Sequence, residues 1–210
     1  LNCFISSGNK SKASELKRVL EIYFPEVKGK IDVRGSRNAT ETGLTYAENS
    51  KIKSFALHQE LLSEGSSAHI IFSDDSGLEV SGLNGEPGIF SARYNPDSQT
   101  LGFDANVKKL LAKVKDFHPQ SPKRLAKMIS HIHVLKFKNN HLLEFYAEDS
   151  VEGRIIDTPE GVKGFGYDPI FFYEPSAKTF AELQETEKDS FSHRAKAIAK
   201  LCQHKKEIFQ

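Results

Sequence analysis

Apolar and polar positions along the chain switch between two periods, and each switch marks an element. Residues 3–6 form a short apolar run that reads as a buried strand. After Ser7-Gly8-Asn9-Lys10-Ser11, the residues Leu16, Val19, Leu20 and Tyr23 fall at i, i+3, i+4 and i+7, one face of a helix. Ser11 is the N-cap this pattern offers, and Pro25 stops the helix. Residues 27–33 read as a second strand. Thr45 with Glu48 three positions later matches a capping box, opening a helix that Gly65 ends. Residues 69–73 are a third strand running straight into Asp74-Asp75-Ser76-Gly77. A turn-rich loop at 82–88 precedes a helix at 103–114. Strands at 128–137 and 142–147 form a hairpin around Asn139-Asn140. A strand at 151–156 leads to the glycine-rich 161–166 and the short run 170–173. A last helix starts near Ser192, with Ile198, Leu201 and Cys202 on its buried side.

Strands and helices alternate early and antiparallel pairs come later. That order predicts an α/β protein with a mixed β-sheet flanked by helices, not an all-parallel one. The 210 residues suit one large domain or two tightly joined lobes. A chain of this length buries about 70% of its unfolded surface, so it folds without disulfides or a structural metal. Net charge of +1 removes the bulk electrostatic case for coating nucleic acid. Cys3 and Cys202 stand far apart in no metal-binding or disulfide pattern. Apolar runs such as Ile70-Ile71-Phe72 fall far short of the ~20 residues that span a bilayer. With no secretory pattern at the start, the expectation is a soluble, cytoplasmic protein.

Four clusters carry chemistry. The first loop empties a strand into a helix N-terminus, whose free N–H groups favour an anion such as phosphate, with Lys10 and Lys12 adding charge. The other reading is a surface turn with solvated lysines. Asp74 and Asp75 repel each other unless a cation such as Mg²⁺ relieves them, and Glu41 is a further candidate oxygen ligand. An exposed Asp-Ser-Gly turn is the plain alternative. In Phe165-Gly166-Tyr167-Asp168 a glycine between two aromatics permits close approach to a flat ligand. Lys188 and Ser192-His193-Arg194 offer donors to a carbonyl or phosphate. Core packing and solvation are the alternatives for these last two. His131 and His133 share one strand face with no third ligand in step, which favours a structural or surface role over zinc.

Together these blocks resemble the inosine triphosphate pyrophosphatase family, also called Ham1-like. Ser7-Gly8-Asn9 with Lys12 and Glu15 is similar to its T-G-N-x-x-K-x-x-E. Residues 41–49 resemble its E-T-G-x-T-F-x-E-N, and Asp74 to Leu78 its D-D-S-G-L. Pro87-Gly88 and Ser91-Ala92-Arg93-Tyr94 follow, then residues 164–171, similar to G-F-G-Y-D-P-I-F. Residues 179–183, Lys188 and Ser192-His193-Arg194 complete the order. Two positions depart from the family pattern: Ser7 replaces a threonine, and Thr40 stands where many bacterial members carry a first acid before Glu41.

The resemblance implies an elongated mixed sheet in two lobes, a single domain over residues 1–210 with the active-site cleft between the lobes. It implies Mg²⁺-dependent hydrolysis of ITP, dITP and XTP to the monophosphate and pyrophosphate, removing deaminated purines from the nucleotide pool, by a homodimer that binds neither nucleic acid nor membrane. Asp75 corresponds to the general base and a metal ligand, with Glu41 and Asp74 as further metal candidates. Ser7, Gly8, Asn9, Lys10, Ser11, Lys12, Ser76, Phe165, Gly166, Tyr167, Asp168, Lys188, His193 and Arg194 correspond to substrate contacts. Arg194 and a protonated His193 offer only donors, suited to the O6 carbonyl of hypoxanthine or xanthine and not to adenine's amino group. A Maf-like pyrophosphatase of other base preference and a non-catalytic nucleotide-binding module are the rival readings.

Overall fold

The structure, a computed structural model, describes residues 1–36 and 38–210. In chain order come β1 (Asn2–Ser6), α1 (Lys10–Tyr23), β2 (Ile31–Val33), α2 (Tyr46–Ser63) and β3 (Ala68–Val80). They are followed by α3 (Ser98–Leu101), α4 (Asp104–Val114), β4 (Leu125–Lys138), β5 (His141–Ile155), β6 (Phe171–Tyr173) and β7 (Lys178–Thr179). Three helices close the chain: α5 (Glu185–Lys188), α6 (His193–Leu201) and α7 (Lys205–Phe209). Among the described residues the strands form one sheet in the order β2-β1-β3-β4-β5-β6-β7. β1 runs parallel to both neighbours, with Ile5 opposite Val33 on one side and Phe72 on the other. β5 and β6 are antiparallel, as are β6 and β7. The predicted mixed α/β sheet is therefore present.

Contacts divide the chain into two compact units, and β3, β4 and β5 contribute residues to both. The first comprises Leu1–Asp75, Ser130–Asp149 and Ser192–Gln210. Alternation along a strand sends successive side chains to opposite faces. Ile70, Phe72, Ile132 and Val134 accordingly pack on Leu16, Val19 and Leu20 of α1 and Ile198 and Leu201 of α6. On the opposite face Ile71 and Leu135 pack on Leu57 and Leu61 of α2. The second unit comprises Ser76–Ile129 and Ser150–Phe191. Its core gathers Leu78, Val80, Val107, Leu110, Val114, Val151, Phe171 and Phe180.

Five local expectations change. β3 does not end before Asp74 but continues through it to Val80, because distant partners satisfy both carboxylates. The N-cap of α1 is Asn9, whose side chain accepts from the Lys12 N–H, and Ser11 lies inside the helix. The second strand shrinks to Ile31–Val33, since Pro25 opens a 3₁₀ turn at Pro25–Val27 and Gly29 adopts a positive φ. The runs at 142–147 and 151–156 fuse into β5, which takes Asp149 and Ser150 in stride. Of the capping box expected at Thr45 only half forms: the Thr45 hydroxyl accepts from the Glu48 N–H, but the Glu48 carboxylate takes the Leu44 N–H and not that of Thr45. The helix expected from Ser192 is α6, and Ser192 caps it. Asn139 and Asn140 take the positive φ values of a two-residue hairpin turn.

Five histidines lie buried in the first unit, and four of them, His58, His69, His131 and His133, find their partners between α2 and the sheet. His131 Nδ1 and His133 Nδ1 each sit 2.8 Å from a hydroxyl of α2, Ser50 and Ser54, the structural one of the two roles expected of them. His58 Nδ1 lies 2.8 Å from His69 Nε2, and Ser66 Oγ 3.0 Å from His69 Nδ1. Burial, then the neighbouring His58, pushes His69 from 6.5 down to about 4, and burial lowers His58 as well. A folded-state value below the unfolded one gives stability that is complete above pH 6.5 and drains away as pH falls toward 4. Urea unfolding at pH 7 and pH 4.5 should show wild type losing on the order of 1–3 kcal/mol more than His69→Gln over that interval. Equal losses in the two proteins would show that the pair does not set acid sensitivity.

Candidate active site

Adjacent carboxylates in mid-strand must face opposite ways, and they do. Asp74 shares its parity with Ile70 and Phe72 and turns toward α1 and α6. Asp75 shares its parity with Ile71 and turns toward α2. Both are about 95% buried, so each needs its own donors.

Asp75 obtains them from one stripe of α2. Asn49 Nδ2 donates to Oδ2 at 3.3 Å and Lys53 Nζ to Oδ1 at 2.8 Å. Asn49 and Lys53 are four residues apart, one helical turn. The Lys53 ammonium also binds Glu41 Oε1 at 2.9 Å and the Asp74 carbonyl at 2.9 Å. Burial works against the Lys53 charge, but Asp75 and Glu41 outweigh it and hold the ammonium above its ordinary range. Burial raises Asp75 above the usual carboxylate range, with Lys53 and Lys12 offsetting only part. That makes it a stronger base than a free aspartate.

The segment carrying Glu41 is fastened to the first turn of α2. Thr45 Oγ1 accepts from the Glu48 N–H at 3.1 Å, and Glu48 Oε2 accepts from the Leu44 N–H at 2.6 Å. Asn49 Oδ1 accepts from the Gly43 N–H at 2.9 Å. A Cβ on Gly43 would meet Glu48 Cβ at 2.6 Å and Asn49 Oδ1 at 2.8 Å, so only glycine lets the loop lie this close.

Asp74 is enclosed by a different set. Ser130 Oγ donates to Oδ1 at 2.6 Å and Arg194 Nε to Oδ2 at 3.0 Å. Burial opposes its charge, but Arg194, Lys12 and the Ser130 hydroxyl outweigh burial and hold it well below the usual carboxylate range. Arg194 also donates to Glu15 Oε2 at 3.3 Å and to His193 Nε2 at 3.1 Å. Arginine has only donors, so His193 Nε2 is an acceptor here and not the donor of a protonated ring. Arg194 is thus engaged with two buried carboxylates in this structure. Lys12 completes the group, its ammonium lowered by burial against the pull of Asp74.

The β1–α1 loop lies in the same unit. Ser7 is half-buried, and Gly8, Asn9, Lys10 and Ser11 are exposed. Asn9 takes the Lys12 N–H, while the N–H groups of the first helical residues, Lys10 and Ser11, lie in the exposed first turn.

The second unit holds the aromatic cluster. Asp168 Oδ2 accepts from the Phe165 N–H at 2.9 Å and from Lys188 Nζ at 2.7 Å. Both charges are buried, and the ammonium stands 5.1 Å from the centre of the Phe165 ring. Lys188, expected on phosphate, is therefore brought to Asp168. Tyr167 donates its hydroxyl to the Ser91 carbonyl at 3.1 Å and meets Phe103 edge-on. Gly164 has φ +72° and would drive a Cβ into the Asp168 carboxylate, so that turn requires glycine. Phe165 and Gly166 are half-buried, and Ser76 is buried within β3.

Among the described residues no three His, Cys, Asp or Glu side chains group as a metal centre. Two carboxylates, Glu41 and Asp75, do converge on one ammonium. Mg²⁺ commonly takes one or two carboxylates and completes its shell with waters and substrate phosphates, so this all-oxygen pair fits it. Sequence reasoning missed Lys53 and Asn49, as well as the bracing role of Ser130. The signal for the first two was present: Asn49, Lys53, Leu57 and Leu61 repeat at four-residue steps along the stripe that meets the sheet.

Comparison with known proteins identifies the family. The Ham1 family model matches residues 3–204. A dITP/XTP pyrophosphatase of Clostridium perfringens is 37% identical over 207 residues, 98% of each chain. One of Haemophilus influenzae is 40% identical over 198 residues, 94% of this chain and 95% of its own. Among solved structures, a HAM1 protein from Coxiella burnetii superposes with a TM-score of 0.77 at 28% identity over 99% of both chains. The Staphylococcus aureus Ham1 protein does so with 0.74 at 32% identity over 98% of both. With a family model matched from residue 3 to 204 and the fold shared over nearly the whole length, the chain belongs to the Ham1 family.

Proposed function

We propose that the protein is a nucleoside triphosphate pyrophosphohydrolase that converts ITP, dITP and XTP to the monophosphate and pyrophosphate with Mg²⁺, in the cytoplasmic nucleotide pool. One observation carries the reading: a buried, base-strengthened Asp75, clamped at both oxygens beside Glu41, in a chain similar end to end to dITP/XTP pyrophosphatases. Among the described residues no helix is long and apolar enough to cross a membrane.

In this reading Asp75 takes the proton of a water that attacks the α-phosphorus, and pyrophosphate leaves intact. Lys12 and the first N–H groups of α1 hold phosphate oxygens. Mg²⁺, held by Glu41 and Asp75, supplies neutralisation of phosphate charge when bound. Against the effect of burial, Arg194 and Lys12 hold Asp74 well below the usual carboxylate range, so we assign Asp74 to balancing their charge. His193 and Arg194, at the start of α6, are further proposed substrate contacts. The decisive assay incubates dITP, XTP and ATP with the protein and Mg²⁺ and separates pyrophosphate from orthophosphate. Pyrophosphate from dITP and XTP, with little from ATP, is expected. Orthophosphate would indicate a phosphatase, and no product a binding module. Asp75→Asn should keep the fold and lose turnover by ~10²–10⁴-fold. A variant near wild-type rate would remove Asp75 as the base.

Lys188 and Asp168 form a buried ion pair that braces the Phe165–Asp168 turn. Removing one partner of a buried pair strands the other charge and costs about 3–5 kcal/mol. Lys188→Met and Asp168→Asn should each lower the melting temperature, and the double variant should lose less than the sum. Strictly additive losses would show that the pair does not act as a unit.

A homodimer is the proposed assembly. β6 pairs with β5 only at Arg154 and Ile155, and the earlier half of β5 exposes Leu142, Leu143 and Tyr146. Sedimentation equilibrium should give twice the 23.5 kDa chain mass. A single-chain mass at micromolar concentration would refute it.

A further inference from the structure

Asn49 is wholly buried and joins two groups of opposite demand. The Gly43 N–H can only donate, and the Asp75 carboxylate can only accept. A side chain lying between them must accept on one side and donate on the other, which fixes the amide with Oδ1 toward Gly43 and Nδ2 toward Asp75. Leucine would satisfy neither group. Aspartate, the same size, would accept from Gly43 and repel Asp75. Lys53 cannot replace this contact, because it approaches the other carboxylate oxygen. With Asn49 present, each Asp75 oxygen has one donor from α2, and the plane of the carboxylate is fixed.

We infer that Asn49 is a positioning residue: it fixes the orientation of the Asp75 carboxylate and locks the Glu41–Gly43 segment in register with it. The inference rests on the proposed role of Asp75 in hydrolysis. Asn49 touches neither substrate nor reacting water in this scheme; it acts through Asp75. Outer contacts of this kind are worth about 10–100-fold in activity when lost.

Two variants separate the two bonds. Asn49→Asp keeps the acceptor for Gly43 and loses the donor to Asp75, while Asn49→Ala loses both. With dITP and Mg²⁺, both should lower kcat about 10–100-fold, with KM unchanged to within about threefold, since an interaction realised in the transition state is removed. The loss per folded molecule, with the folded fraction read from the melting curve, should remain. Near wild-type kcat in Asn49→Asp, a loss that appears only in KM, or a loss matching the unfolded fraction overturns the inference. Crystal structures of the same variants give a readout free of turnover. The Asp75 carboxylate should rotate out of its plane in both, and Gly43 should shift only in Asn49→Ala. An Asp75 that stays in place in both also overturns it. Should the wild type release no pyrophosphate from dITP, the proposed function fails, while these structures still decide whether Asn49 positions Asp75.

Discussion

Two neighbouring carboxylates buried in the middle of one strand are the constraint around which the first unit is organised. Left alone, Asp74 and Asp75 would repel each other and each would lose its hydration, a cost far above any single hydrogen bond. Strand alternation separates them onto opposite faces, and each face then needs cations and donors of its own. Arg194, Lys12 and Ser130 answer Asp74; Lys53 and Asn49 answer Asp75. Three helices are therefore tied to β3 by charge as well as by apolar packing. The two sets also differ in effect. Around Asp74 the cations win and the acid is locked as an anion. Around Asp75 burial wins in part, and the acid retains a proton affinity that chemistry can use.

What the sequence revealed and what it concealed follow the range of the forces involved. Thr45 with Glu48, and Ser192, cap helices through bonds spanning three residues, and local pattern finds them. The α1 stripe of Leu16, Val19 and Leu20 is equally local. β3 escaped because its local signal says turn: Asp-Asp-Ser-Gly is turn chemistry. The partners that keep it extended lie 120 residues away in Arg194 and 56 away in Ser130. α2 was legible by its ends, Thr45 and Gly65, and not by its stripe. Its inward face carries Asn49, Ser50, Ser54 and His58 alongside Leu57 and Leu61, so an apolar-stripe criterion sees half of it. Those polar residues face inward because the sheet beneath offers His131, His133, His69 and Asp75 as partners.

The candidate site residues divide along the same line. Family likeness identifies the blocks, but their spacing does not reveal which partner each charge takes. Lys188 and Asp168 stand 20 positions apart and form one ion pair under Phe165. Arg194, chosen for its donors, has them engaged with Asp74 and Glu15. In both cases the residue is paired with a buried carboxylate that only the fold could bring near.

Residues 41–49 can now be understood as one mechanical part. Glu48 holds the Leu44 N–H, Asn49 holds the Gly43 N–H, Lys53 holds Glu41, and Thr45 closes the helix end. Each bond runs from the segment before α2 to the helix itself, so the position of Glu41 follows the helix and not a free loop. The same helix places two donors on Asp75. A movement of α2 would therefore carry Glu41 and the Asp75 donors together. Asp75 on a strand and Glu41 on a helix-anchored segment meet with the Lys53 ammonium between them, which offsets the repulsion of two like charges held close.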